Sequence, residues 1–165
     1  MKDSAFVQHS LDPVFDAESR ILILGTMPSP VSREQGFYYS HPQNRFWQVM
    51  SAVFDEPLPY TIEQKTRLVL SRGVALWDVL ASCEIHGAED ASIRKPVAND
   101  FSAILAASKI SMICTTGERA ATLYRKLCRP LTGIEAVPLP STSPANRGRY
   151  PLNTLIEIYT ILRQR

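Results

Sequence analysis

The sequence predicts an α/β fold, a three-layer α/β/α sandwich around a central four-stranded, mainly parallel sheet. Three observations lead there. Residues 21–24, 74–80, 110–115 and 136–139 are short, apolar, β-branched-rich runs that read as strands buried on both faces. Helically patterned segments alternate with them, as a parallel sheet requires to return the chain between strands. The two loops of most unusual composition follow the first and the last run, at the strand ends where such sheets bind ligands.

In chain order, the run ILIL at 21–24 opens into Gly25-Thr26-Met27-Pro28-Ser29-Pro30. A glycine ends the strand, and two prolines stiffen the backbone and direct the chain away from a helix. Such a loop holds backbone N–H groups in a fixed direction. It is neither a P-loop nor a GxGxxG turn, and by composition alone it is more often a turn than a site. Residues 45–53 pattern as a helix, with Phe46, Trp47, Val49, Met50 and Val53 toward the core. Asn44, just before it, is placed to cap the helix with its side-chain oxygen, and its amide and carbonyl can equally orient a water molecule.

Further helices are expected over 61–71, over 101–107 after an Asn99 or Asp100 cap, and over 118–127. The last, 151–162, opens on Pro151 and repeats apolar residues at Leu152, Leu155, Ile156, Ile158, Tyr159 and Leu162. No repeat or long linker divides the 165 residues, so residues 1–165 read as one domain.

Composition excludes several classes. No apolar stretch approaches the roughly 18 residues of a membrane span, and the start, MKDSAFVQHSLDPVF, fits neither a secretory signal nor a transit peptide. A cytoplasmic setting is expected. Cys83, Cys114 and Cys128 show no CxxC spacing and read as inert packed thiols, while His9, His41 and His86 are scattered, so neither a metal site nor a cofactor is expected. The net charge of +2 conceals an asymmetry: through Glu118 there are 10 Lys/Arg against 14 Asp/Glu, and from Arg119 onward 8 against 2. Seven of those eight are arginine, the planar donor suited to phosphates, so a polyanionic partner is weighed against a solvated basic face.

The second half of the first loop, GFYYSHPQNRFW, holds five of the fourteen aromatic residues. Aromatic faces at the ligand end of a sheet suit a flat heterocycle, which gains roughly 1–3 kcal/mol per stacked base. Phe46 and Trp47 are better read as core, whereas Tyr38 and Tyr39 start no helix and show no strand alternation. The last loop, Ser141-Thr142-Ser143-Pro144-Ala145-Asn146-Arg147-Gly148-Arg149, joins hydroxyls, a stiff Pro-Ala tip and two arginines. Hydroxyls and arginines fit phosphate oxygens and the tip can enter a base stack, which tilts the reading toward nucleic acid.

Together, ILILGTMPSP, GFYYSHPQNRFW, GVALWDVL, CEIHGAEDASIRKPVANDF and LPSTSPANR resemble the uracil-DNA glycosylase superfamily over most of the chain, and most closely its hypoxanthine-DNA glycosylase branch. The mismatch-specific uracil glycosylases share a very similar Asn-Arg-Phe-Trp run. They hold the attacking water with an Asn in a Gly-x-Asn-Pro-Gly loop, where this chain has Met27. The resemblance therefore implies that Asn44 takes over catalysis, that Tyr39 stacks on an extruded base, and that Ser141 to Arg147, with Ser143, Pro144, Ala145 and Asn146, enter the minor groove and base stack.

By the same reading Gly25, Thr26, Met27, Pro28 and Ser29 border the base, with backbone donors aimed at the purine oxygen as the leaving group gains negative charge. The implied partner is double-stranded DNA containing a damaged base, and the implied setting is base excision repair. Asp78 and Asp90 are candidates either for accepting base N–H groups or for ordering the loops. No lysine lies in either loop, so simple hydrolysis is expected without Schiff-base strand cleavage.

Overall fold

The computed structural model describes residues 4–87 and 89–163, with the side chain of Asp90 outside the described set. The strands are β1 (Ala5–Gln8), β2 (Ile21–Gly25), β3 (Val74–Asp78), β4 (Leu80–His86), β5 (Glu89–Ala98), β6 (Met112–Thr116) and β7 (Ala136–Leu139). The helices are α1 (Pro30–Gln35), α2 (Phe46–Phe54), α3 (Ile62–Ser71), α4 (Ser102–Ala106), α5 (Glu118–Leu123), α6 (Arg129–Thr132) and α7 (Leu152–Tyr159). A π-turn, Tyr124–Cys128, continues α5.

Four strands form the central sheet in the order β3-β2-β6-β7, all parallel, as expected. Alternate residues enter opposite layers. Ile21, Ile23, Val74, Leu76 and Cys114 pack with α2, α3 and α7, whereas Leu22, Leu24, Ala75 and Ile113 pack with Ile104 of α4 and Ala120 and Leu123 of α5. Both faces are thus buried, which is why these strands read as continuous apolar runs. Phe46 and Trp47 are core, at 0% and 5% exposure, and the three cysteines are buried.

Two features depart from the expectations. Pro30 does not turn the chain away from a helix; it starts α1, with Ser29 Oγ accepting the Ser32 N–H at 3.1 Å. A proline at the first helical position has no N–H to leave unpaired, and its fixed φ suits the turn. Gly36, at φ 79°, then ends α1 and returns the chain toward the sheet. The second departure is a three-stranded antiparallel sheet, β1-β4-β5. Its buried residues Cys83, Ile85 and Ile93 cover the α4 and α5 layer, and Val14 bridges Leu76 on the outer side of β3. That bridge covers backbone groups an edge strand would otherwise expose.

Candidate active site

The chain leaves β2 toward β3 on one side and reaches β6 on the other, so the carboxyl ends of β2 and β6 flank a crevice. Crevices at such reversals are where open α/β sheets bind ligands. A cavity of about 350 Å³ opens there. Register fixes its floor: Gly25 pairs with Asp78 across β2 and β3, and Leu24 pairs with Thr115 across β2 and β6, which brings Thr116 level with Gly25. A methyl group at Gly25 would lie 2.7 Å from Asp78 Oδ1, 3.5 Å from Tyr39 Oη and 3.6 Å from Thr116 Oγ1. The missing side chain is what gives three polar groups a common space.

Asp78 is 4% exposed, and its Oδ2 meets His9 Nε2 at 2.8 Å. Burial pushes its carboxyl above the usual range, against the downward pull of His9. The Tyr39 hydroxyl is buried beside the Thr116 hydroxyl, yet the two make no hydrogen bond of good geometry. Burial first and the Asp78 charge second hold its phenol well above the ordinary value, against the downward pull of Thr116, so it remains a proton donor. Its ring stacks on Phe46 with centroids 3.8 Å apart and planes 11° apart, and its backbone is left-handed at φ 54°. The core aromatic therefore fixes the face and height of the cavity aromatic.

Asn44 lines the cavity and directly precedes Arg45, the N-cap of α2, which makes no side-chain cap bond. Its Oδ1 accepts the Phe46 N–H at 2.9 Å and the Thr142 hydroxyl at 2.7 Å, which uses both lone pairs. The N-cap expected at Asn44 is Arg45 instead, because Arg45 O accepts the first helical N–H, from Val49; Asn44 Oδ1 anchors the start of α2 and the last loop from one position earlier. The amide Nδ2 is the group left for a ligand.

The last loop is secured from below by Arg45, at 5% exposure. Its backbone N–H donates to Thr142 O at 3.1 Å and its Nη1 to Tyr150 O at 2.6 Å. Desolvation, then the nearby Arg147, lower its pKa, and its Nε and Nη2 find no partner among the described residues.

The predicted site residues Gly25, Thr26, Met27, Pro28, Ser29, Tyr39, Asn44, Ser141, Ser143, Pro144 and Ala145 all line this cavity. Asn146 and Arg147 do not. Asn146 Nδ2 donates to Ser141 O at 2.9 Å and holds the loop's shape, while Arg147, exposed at the rim, donates to Gln43 O at 3.2 Å. The Met27 and Ser29 N–H groups donate to no partner among the described residues. Residues to which the sequence assigned no role include Thr116, His9 and, from the β4–β5 hairpin, Ile85 and Gly87. Thr142, expected among the hydroxyls of the DNA-facing loop, is buried at 1% exposure and donates to Asn44 Oδ1.

Comparison with known proteins gives a consistent result. The Uracil DNA glycosylase superfamily model matches residues 13–163. A hypoxanthine DNA glycosylase of Methanosarcina acetivorans is 33% identical over 159 residues, covering 95% of this chain and 99% of that protein. A hypoxanthine DNA glycosylase of Methanosarcina barkeri is 34% identical over 137 residues, covering 82% and 85%. A solution NMR structure of a candidate uracil DNA glycosylase from Methanosarcina acetivorans superposes with a TM-score of 0.81 at 32% identity, covering 96% of this chain and 98% of that one. No helix among the described residues is long and apolar enough to cross a membrane. With its four-stranded parallel sheet and a cavity at the sheet's carboxyl edge, the chain belongs to the uracil DNA glycosylase superfamily.

Proposed function

We propose that this protein is a monofunctional DNA glycosylase that hydrolyses hypoxanthine, the deaminated form of adenine, from deoxyinosine in double-stranded DNA, the first step of base excision repair. One observation carries the reading: an acceptor, Asp78 Oδ1, and a donor, Tyr39 Oη, face the same space above Gly25. Deamination converts N1 of adenine from acceptor to N–H donor and the 6-amino donor to a carbonyl acceptor. Hypoxanthine complements this pair, and adenine presents the reverse. A site built to bond an N–H rejects the analogue lacking it, because its own buried polar groups are then left unpaired. Uracil carries a similar edge; the two Methanosarcina relatives named for hypoxanthine, and Met27 in the first loop, support the purine.

The base must first leave the duplex, at a cost of a few kcal/mol that is smallest for weakly paired bases such as inosine opposite thymine. The Pro144-Ala145 tip, held by Arg45 and Asn146, fills the space it leaves. As the C1′–N bond breaks, positive charge grows on the sugar and negative charge on the base. The unpaired Met27 and Ser29 N–H groups stabilise the departing base without reorganising. Water adds at C1′, its oxygen held by Asn44 Nδ2 and one hydrogen by a lone pair of Thr142 Oγ1, and the proton it loses neutralises the departing base anion, leaving free hypoxanthine and a C1′ hydroxyl. Among the described residues no lysine lines the cavity, which supports an abasic site in an intact strand as the product.

The test is incubation of labelled duplexes carrying one inosine or one uracil, followed by alkali. Cleavage at inosine supports the proposal, and cleavage at uracil alone excludes hypoxanthine as the substrate. Arg147→Ala is expected to weaken duplex binding for any sequence and to reduce the slope of log K against log[salt] by about 1, the loss of one phosphate contact. Binding titrations at four salt concentrations measure it, and an unchanged slope removes Arg147 from the DNA face.

A further inference from the structure

Among the described residues, the N-terminal segment meets the cavity's Asp78 through His9. His9 follows β1, its backbone N–H bonded to Ala81 O at 2.7 Å, and its ring lies between those of Tyr38 and Trp77 with centroids 6.3 and 6.4 Å away. The side chain is 4% exposed. Nδ1 accepts the Leu11 N–H at 3.3 Å, which assigns the ring proton to Nε2. Nε2 therefore donates to Asp78 Oδ2 at 2.8 Å. Oδ1 takes no hydrogen bond among the described residues and borders the space above Gly25.

We propose that His9 is a positioning residue: its Nε2–H holds the Asp78 carboxylate ionised, with Oδ1 turned to the cavity, where it accepts an N–H of the deaminated base. This rests on the function proposed above. A buried carboxylate is driven to take up a proton, and with Oδ2 held by His9 that proton falls on Oδ1, turning it from acceptor to donor. The titratable groups facing Asp78 are His9 from the N-terminal segment and Tyr38 and Tyr39 from the aromatic loop, with Asp12 beyond Tyr38. Both tyrosines are pushed upward and remain neutral, and Asp12 repels negative charge, so His9 is the stabilising member of the group. Acceptance by Oδ1 would then fail on the acid side, as falling pH protonates Asp78 at a higher pH than an ordinary carboxylate.

The experiment titrates the Asp78 carboxyl carbon by NMR in the wild type, His9→Gln and His9→Leu, and measures single-turnover hypoxanthine excision against pH in the same three proteins. Glutamine keeps an N–H donor; leucine removes it at similar volume. His9→Leu is expected to raise the Asp78 midpoint by roughly one pH unit or more. His9→Gln should stay near the wild type, and the acid limb of excision should move with the carboxyl in each case. If His9→Leu does not fold, His9→Asn, whose shorter amide falls short of Oδ2, takes its place. An unmoved Asp78 midpoint overturns the proposal, because His9 then only packs. A moved midpoint with a fixed acid limb overturns it too, because the carboxylate then does not meet the base. A wild type that excises no hypoxanthine overturns the proposed substrate, and the carboxyl titration still decides the coupling of His9 to Asp78.

Discussion

Asn44→Ala is expected to lower excision by roughly 10²- to 10³-fold, the range for removing one preorganised polar group at a reacting centre. The side chain has two jobs, and the substitution removes both. Loss of Oδ1 unties the Phe46 N–H and the Thr142 hydroxyl, at about 1 kcal/mol for each lost hydrogen bond. Loss of Nδ2 removes the donor that holds the water. Asn44→Ser separates the two, since a serine hydroxyl can still accept the Phe46 N–H but offers no amide to the cavity. Thermal melts should show stability largely recovered in the serine variant, with turnover still low. Full turnover in folded Asn44→Ala would reduce Asn44 to an anchor of the loop.

Gly25→Ala is expected to cost roughly 10²-fold in excision and about 1–3 kcal/mol in stability, the usual penalty for overfilling a packed site. Gly25 is not among the glycines with positive φ, so the cost is one of space rather than of backbone conformation. The added methyl would stand 2.7 Å from Asp78 Oδ1. That carboxylate is held by His9 and cannot swing aside freely, and the methyl would also take the volume in which the base edge meets Tyr39. Single-turnover rates and melting curves measure the two effects. A variant that melts lower yet excises at the wild-type rate would show that the base does not sit over Gly25.

The central sheet was legible because strands buried on both faces must be apolar throughout, and Ile21 to Leu24 can hardly be anything else in this context. The second sheet was not legible. β5 runs EDASIRKPVA and buries Ile93 while its neighbours are largely polar, so its extended form comes from pairing with β4 rather than from its own pattern. α1 did carry its signal, Ser29 followed by Pro30, but two prolines in three positions read equally as a stiff turn. In the site, the two loops stood out by composition. Asp78 could only be named as one of two candidates, since a lone acid at the end of an apolar run has no partner in the sequence. Its partner His9 lies 69 positions away, and only the fold joins them. Asn44 read as a choice between cap and working residue because spacing cannot place the first helical turn to one residue; the cap position falls to Arg45, and Asn44 keeps an anchoring Oδ1 and an Nδ2 beside the cavity.

The most direct measurement is the product of a single turnover on a duplex with one deoxyinosine, with free base and strand analysed separately. The expected result is one free hypoxanthine per abasic site, in a strand that stays intact until alkali is added. Duplex that is bound but unchanged, or a strand broken before alkali, would contradict a monofunctional glycosylase.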